Sequence, residues 1–184
     1  SLPSTLVPDR NNELIFDKIG WLWAINMVAN IFWVPLFQLN TTTGFFLSQL
    51  VISVLLSTAL LISKEVNAAE LNWIETIGLK WGSSLYSGWL SVATILNTGF
   101  VLKGSGISED WDEGVWSVIM LWVAMIIYCA KAYLEEDPIY AAVYVWALFG
   151  IKDLDNADIA SSVNIVIGVM SAFVATLTGM QFIE

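Results

Sequence analysis

Residues 19–39 carry no formal charge, and neither do residues 43–63, two uninterrupted runs of 21 positions each. A helix of that length, at ~1.5 Å per residue, reaches the ~30 Å of a bilayer's hydrocarbon core. Lipid offers no hydrogen bonds to a peptide group, so a segment crossing it must satisfy its own backbone, as a helix does, or close into a barrel. Runs this long and this apolar therefore predict helices. Composition agrees: 57% of the chain is hydrophobic and 13% charged, where a soluble domain carries about 25% charged residues. The expected fold class is all-α, a polytopic transmembrane helix bundle.

In chain order, residues 1–13 read as a polar loop. Pro35, inside the first run, predicts a kink or an early helix end. A tight polar turn over 40–44 leads into the second run. Residues 67–75 read as an amphiphilic loop with Trp73 at the interface, and a third span follows over about 77–102. The loop 103–113, with its glycines and acids, belongs in water. A fourth span covers 114–130. Asp137 as N-cap and Pro138 at the first helical position open a fifth over 138–151. Its 14 residues are short for a crossing, which leaves a thin helix or a re-entrant one. Asp158 opens the last span, 159–183. That makes about six spans, the fifth short. The domain reading is a polar N-terminal loop (1–13), a three-helix segment (14–103), an acidic loop (104–113) and a further three-helix membrane segment (114–184). Arg10, Lys18, Lys64, Lys80 and Lys131 fall on the side of the start. Lys103 and Lys152 fall on the other side with seven acids, so the start is expected on the inner face.

Several functions are excluded or disfavoured by what is absent. There is no histidine, which removes the usual general base, metal ligand and axial haem ligand. The one cysteine, Cys129, cannot form an intrachain disulfide or a thiolate cluster and is expected to be a lipid- or core-facing apolar residue. A net charge of −10 offers nothing to neutralise phosphates, so nucleic acid is not an expected partner. No acid pair lies within a span, and no phosphate loop, zinc spacing or nucleophile elbow survives its context. Enzyme activity is not expected. The first residues show no signal peptide, and the lack of an initiator Met raises the expectation of a processed product or a fragment.

What remains is a pattern of polar and aromatic residues inside apolar spans. Asn26, Asn30, Trp33 and Phe37 stand at i, i+4, i+7 and i+11, one face of a helix. An amide facing hydrocarbon is costly without a partner, so this face is expected to look inward. Tyr86, Trp89, Ala93 and Asn97 stand at i, i+3, i+7 and i+11 on the third span. Facing each other, the two stripes would wall an apolar pocket with amide, phenol and indole handles, suited to a large, flat, mostly apolar ligand. The other reading is that Asn30 and Asn97 hydrogen-bond between helices while the aromatics fill the core. Two stripes of small residues, one of Ser84, Ser87, Gly88, Ser91, Thr94 and Thr98 and one of Gly168, Ala172, Ala175 and Gly179, are expected to let helices pack closely.

Asn30-Ile-Phe-Trp33-Val-Pro35-Leu-Phe37 resembles the Asn-x-x-Trp-x-Pro-x-Phe motif of the translocator protein family, the tryptophan-rich sensory proteins. Leu85-Tyr86 followed by Trp89-Leu90-Ser-Val-Ala93-Thr94-Ile-Leu96-Asn97 resembles that family's last-helix pattern. The two motifs come in the family's order with one helix between them, over about residues 22–98. The resemblance implies helices that bind tetrapyrroles such as protoporphyrin and haem, or sterols and other lipids, often as a dimer. It would make the first three spans equivalent to the family's third to fifth, with Asn30, Trp33, Phe37, Trp89 and Asn97 lining or bracing the cavity. Asn26 and Tyr86 join these from the stripes. The chain departs from the family in three ways. The family's first two helices should lie upstream, Asn97 is followed by Thr-Gly-Phe-Val-Leu-Lys in place of the sterol-associated Tyr-x-Arg/Lys, and three further spans follow, as in a longer branch. The function expected is binding of a porphyrin, haem or lipid between helices, with membrane lipids, a hydrophobic small molecule and a second copy or a larger complex as partners. The alternative is a non-catalytic structural subunit of a larger membrane complex. A mitochondrial or other organelle membrane fits either.

Overall fold

A computed structural model of the chain describes residues 13–108, 110–152 and 157–181. Among these residues there are six α-helices and no strands. They are α1 (Gly20–Gln38), α2 (Thr42–Asn67), α3 (Trp73–Gly104), α4 (Glu113–Leu134), α5 (Pro138–Phe149) and α6 (Ala157–Gln181). All but α5 are long and apolar enough to cross a membrane. Of the polar loop expected over 1–13, residues 1–12 lie outside the described residues, as does the end of the last span at 182–183, and Glu13 opens a π-helical stretch, Glu13–Lys18. The chain forms two compact units, Ser1–Leu90 and Ser91–Glu184, and α3 contributes to both.

In the first unit, α1 and α2 form an antiparallel hairpin. Asn40 turns the chain with φ 49°, and Thr41, extended, accepts the Gly44 N–H on Oγ1 at 3.1 Å as N-cap of α2. A Cβ on Gly44 would stand 2.8 Å from the Leu36 carbonyl and 2.9 Å from Leu39 Cβ. The turn is therefore closed by backbone approach, which glycine alone permits without a shift. α1 does not end early. It continues three residues past Pro35, to Gln38, so the single ladder bond that a proline's missing N–H removes does not end the helix here. At the other end of the hairpin, Leu14, Ile19, Ile62 and Val66 form a buried cluster, against which Leu22, Trp23, Ala69, Leu71 and Leu79 pack. Lys18 and Glu65 lie 4.0 Å apart beside it.

α3 begins earlier than hydropathy predicts. Asn72 Oδ1 accepts the N–H groups of Ile74 and Glu75, and Glu75 Oε2 accepts the Asn72 N–H, a reciprocal capping box. This satisfies the donors that a helix start leaves open, so residues from Trp73 onward are helical and the amphiphilic loop shrinks to 68–72. Trp73 is exposed. The helix passes through a π-helical stretch, Thr76–Trp81, before settling at Gly82.

In the second unit, Asp112 caps α4 through Val115 N. Asp137 caps α5 through Tyr140 N at 3.1 Å, with Pro138 in the first turn as expected. Gln181 Nε2 donates to the Glu136 carbonyl at 2.5 Å, and Cys129 Sγ lies 3.4 Å from Met170 Sδ. These contacts place the end of α6 beside the start of α5 and make α6 run parallel to α4. α6 therefore begins at the opposite end from where α5 begins, which excludes a re-entrant α5. The second small-residue stripe is corrected. Gly168, Ala172, Ala175 and Gly179 are exposed, and α6 packs instead through Val163, Val166, Met170 and Leu177. Those four share the opposite helical stripe and bury more apolar volume. The α3 stripe does turn inward, with Ser84, Ser87, Gly88 and Ser91 buried.

Candidate functional site

The first unit is tied together at Asn26. This is the only buried residue of α1, and every hydrogen of its amide is used. Nδ2 donates to the Leu55 carbonyl at 3.0 Å and to Thr58 Oγ1 at 2.7 Å, both on α2. Oδ1 accepts the Tyr86 hydroxyl of α3 at 2.6 Å. Thr58 passes its own proton back to a carbonyl of α2. Trp23, one turn before Asn26, stacks on the Tyr86 ring with centroids 6.1 Å apart and planes at 18°. One amide thus holds three helices in register, which answers the cost of placing it in an apolar segment.

The rest of the α1 stripe behaves differently. Asn30 is exposed. It lies about 40° around the helix from Asn26, enough to leave the narrow face that α1 buries. Trp33 and Phe37 are half-buried and form a row of rings with Phe45 of α2, at centroid distances of 6.5 and 5.7 Å. The Trp33 indole nitrogen is shielded from solvent and has no hydrogen-bond partner. A buried N–H without an acceptor is uncommon and costs on the order of 1–3 kcal/mol, so it asks for an explanation. On α3, Trp89 is 45% exposed, while Asn97, in the second unit, is buried. The structure therefore brings Asn26 and Tyr86 into one network and Trp33 and Phe37 into another, with Asn30 and Trp89 on the surface.

A family model described as TSPO-like protein matches residues 3–180. The chain belongs to the TSPO-like protein family. No curated protein and no solved structure matches the chain. The match reaches well past the two motifs at 30–37 and 85–97, so α4, α5 and all but the last residue of α6 fall within its extent. With its apolar helices, membership makes the chain an integral membrane protein of this type.

The TSPO-like chain also holds a constellation that sequence reasoning passed over. Tyr128 of α4 is sandwiched between Tyr140 and Tyr144 of α5, each pair stacked at 4.7 Å. All three rings are buried. Tyr144 donates to the Leu121 carbonyl at 2.6 Å, and the Tyr140 hydroxyl meets Ser91 Oγ at 2.7 Å. Lys131 Nζ stands 4.2 Å over the Tyr140 ring and 2.8 Å from Glu135 Oε2. The spacing of Tyr140 and Tyr144, one turn apart, was the available signal. In the first unit Trp23, Thr58 and Phe45 were likewise missed, since no motif marks them.

Proposed function

We propose that this TSPO-like protein binds a mostly apolar ligand with a hydrogen-bond acceptor, a tetrapyrrole or a sterol or other lipid, against the helices of its first unit. The observation that carries this reading is the Trp33 indole N–H, buried without an acceptor beside the rings of Phe37 and Phe45. A ligand carbonyl or carboxylate would supply the acceptor, and flat apolar surface would stack on the aromatic row. Asn30 and Trp89 would add polar and aromatic contacts from the surface. Asn26 and Tyr86 act as braces, holding α1 and α3 where the ligand needs them. Asn97 enters only through the family motif. The proposal is one of binding without chemistry, in keeping with the family. Titration of detergent-purified protein with protoporphyrin should quench tryptophan fluorescence, and Trp33→Phe and Trp89→Phe should weaken it. Equal affinity in wild type and both variants would remove the site.

A structural subunit of a larger membrane complex is the second reading. It draws on α1, which among the described residues fully buries only Asn26 and leaves Trp21, Ile31 and Phe32 exposed. Native mass spectrometry from mild detergent separates the two: co-isolated subunits of fixed stoichiometry favour assembly, and a ligand-responsive single species favours binding.

A further inference from the structure

α5 stops short of its neighbours. Its 12 residues extend ~18 Å at ~1.5 Å per residue. The 22 residues of α4 and the 25 of α6 extend ~33 and ~37 Å on the same rise. The three are aligned at one end, where Asp137 N donates to the Ala132 carbonyl and Gln181 Nε2 to that of Glu136. At the other end α5 stops ~12 Å inside a ~30 Å hydrocarbon core.

Among the described residues, that end is left exposed. Phe149, Gly150 and Ile151 are exposed, and Gly150, lacking a side chain, exposes only backbone. The helix tightens in its last turn, Gly150 N to the Ala147 carbonyl and Ile151 N to that of Leu148, both at 3.1 Å. Lys152 follows at once, its ammonium 5.7 Å from the Phe149 ring. A helix end that leaves its last carbonyls open, followed at once by a cation, is not tolerated in hydrocarbon, and at membrane depth such groups occur where water reaches them. We propose that water enters the second unit from the side where α4 and α6 begin, filling a recess floored by Phe149, Gly150, Ile151 and Lys152. The recess admits small hydrophilic solutes from that side and ends where α5 begins. It does not depend on any ligand in the first unit.

Cysteine accessibility tests this in full-length protein reconstituted into nanodiscs, with Cys129→Ser as background. Single cysteines are placed at Ile151, at Val115 near the start of α4, and at Val123. Val123 is exposed like Ile151 and, counted from the aligned end, lies ~4 Å nearer the middle of the span at ~1.5 Å per residue. Membrane-impermeant thiosulfonates of both charges are used, so that neither Lys152 nor the acids near the start of α4 can hide access. Thiols react as thiolates and need water to ionise, so Ile151→Cys should react within about 10-fold of Val115→Cys and about 100-fold faster than Val123→Cys. A rate for Ile151→Cys equal to that of Val123→Cys with both reagents overturns the recess. If Ile151→Cys does not insert, Phe149→Cys, exposed at the same helix end, carries the same comparison with the same two outcomes.

Discussion

The Tyr86 hydroxyl donates to Asn26 Oδ1 across 2.6 Å, joining two helices through residues 60 positions apart. Asn26 also serves two acceptors on α2, so the pair is a junction rather than an isolated bond. Interhelical hydrogen bonds in membrane proteins average ~0.6 kcal/mol and reach ~1.7. Asn26→Leu should cost about 2 kcal/mol, and Tyr86→Phe about 1 kcal/mol. The double variant should lose less than the sum, because each single change strands the other partner. Unfolding in mixed detergent–SDS micelles reads all three, and strict additivity would show that the two groups do not act as a unit.

Glycines at three positions separate close approach from mere smallness. Gly44→Ala pushes a methyl into the Leu36 carbonyl and Leu39 Cβ, and overpacking of this kind costs about 1–3 kcal/mol. Nothing lies within 4 Å of a Cβ at Gly168 or Gly179. Alanine there should be neutral or stabilise α6 by about 0.5–1 kcal/mol through lost backbone entropy. Thermal denaturation in detergent should lower the melting temperature for Gly44→Ala alone. A destabilised Gly168→Ala would mean that a second copy or another partner covers the α6 stripe.

Those glycines also show what the sequence could convey. Charge-free runs report contact with lipid, so the long spans were located within a few residues of their helices. Helix ends answer to local caps. The Asn72 and Glu75 pair was visible at capping-box spacing, yet the polarity around Trp73 drew that segment into a loop. Facing was less legible. On α6 both the small stripe and the Val163, Val166, Met170 and Leu177 stripe have helical period, and only the neighbours decide which turns inward. On α1 the period put four residues on one face, but the contact with α2 fully buries only Asn26 and leaves Trp33 and Phe37 half-buried at its edge. The tyrosine stack needs two helices to exist, and neither sequence segment implies it alone.

The stack should dominate the stability of the second unit. Removing the middle ring by Tyr128→Ala opens a cavity between Tyr140 and Tyr144 and should cost about 3–5 kcal/mol. Tyr144→Phe keeps the ring and loses the bond to Leu121, for about 1 kcal/mol. Near-ultraviolet circular dichroism should lose its tyrosine signal in Tyr128→Ala and retain it in Tyr144→Phe. Loss in both would mean that the hydroxyl, not the stacking, orders the rings.

Two ion pairs of nearly equal length should differ in worth. Lys103 and Glu113 meet at 2.7 Å but are 72% and 81% exposed, whereas Lys131 and Glu135 meet at 2.8 Å with 13% and 29% exposure. Solvent and salt screen the first pair, so Lys103→Met should change stability by less than about 0.5 kcal/mol. Lys131→Met loses a shielded pair and a cation over the Tyr140 ring, for about 1–2 kcal/mol. Stability at low and high ionic strength gives the check: the Lys131 difference should persist in salt, and its disappearance would class it with the surface pair.

Trp33 separates ligand binding from folding within one side chain. Its N–H is buried without an acceptor, and an unmet buried donor costs on the order of 1–3 kcal/mol. Trp33→Phe removes that donor and keeps an aromatic ring in the row with Phe37 and Phe45, at the loss of some packing volume. The two effects oppose, so the ligand-free variant should match wild type in stability within about 1 kcal/mol. The same change should weaken a ligand that accepts from the indole by about 5- to 10-fold, the worth of one net hydrogen bond. Affinity for protoporphyrin and for its ester, whose carbonyl remains a weaker acceptor, should fall in the order expected of a donor–acceptor contact in wild type and converge in the variant. A variant that loses stability and affinity together would instead make Trp33 a packing residue, its bare nitrogen merely tolerated.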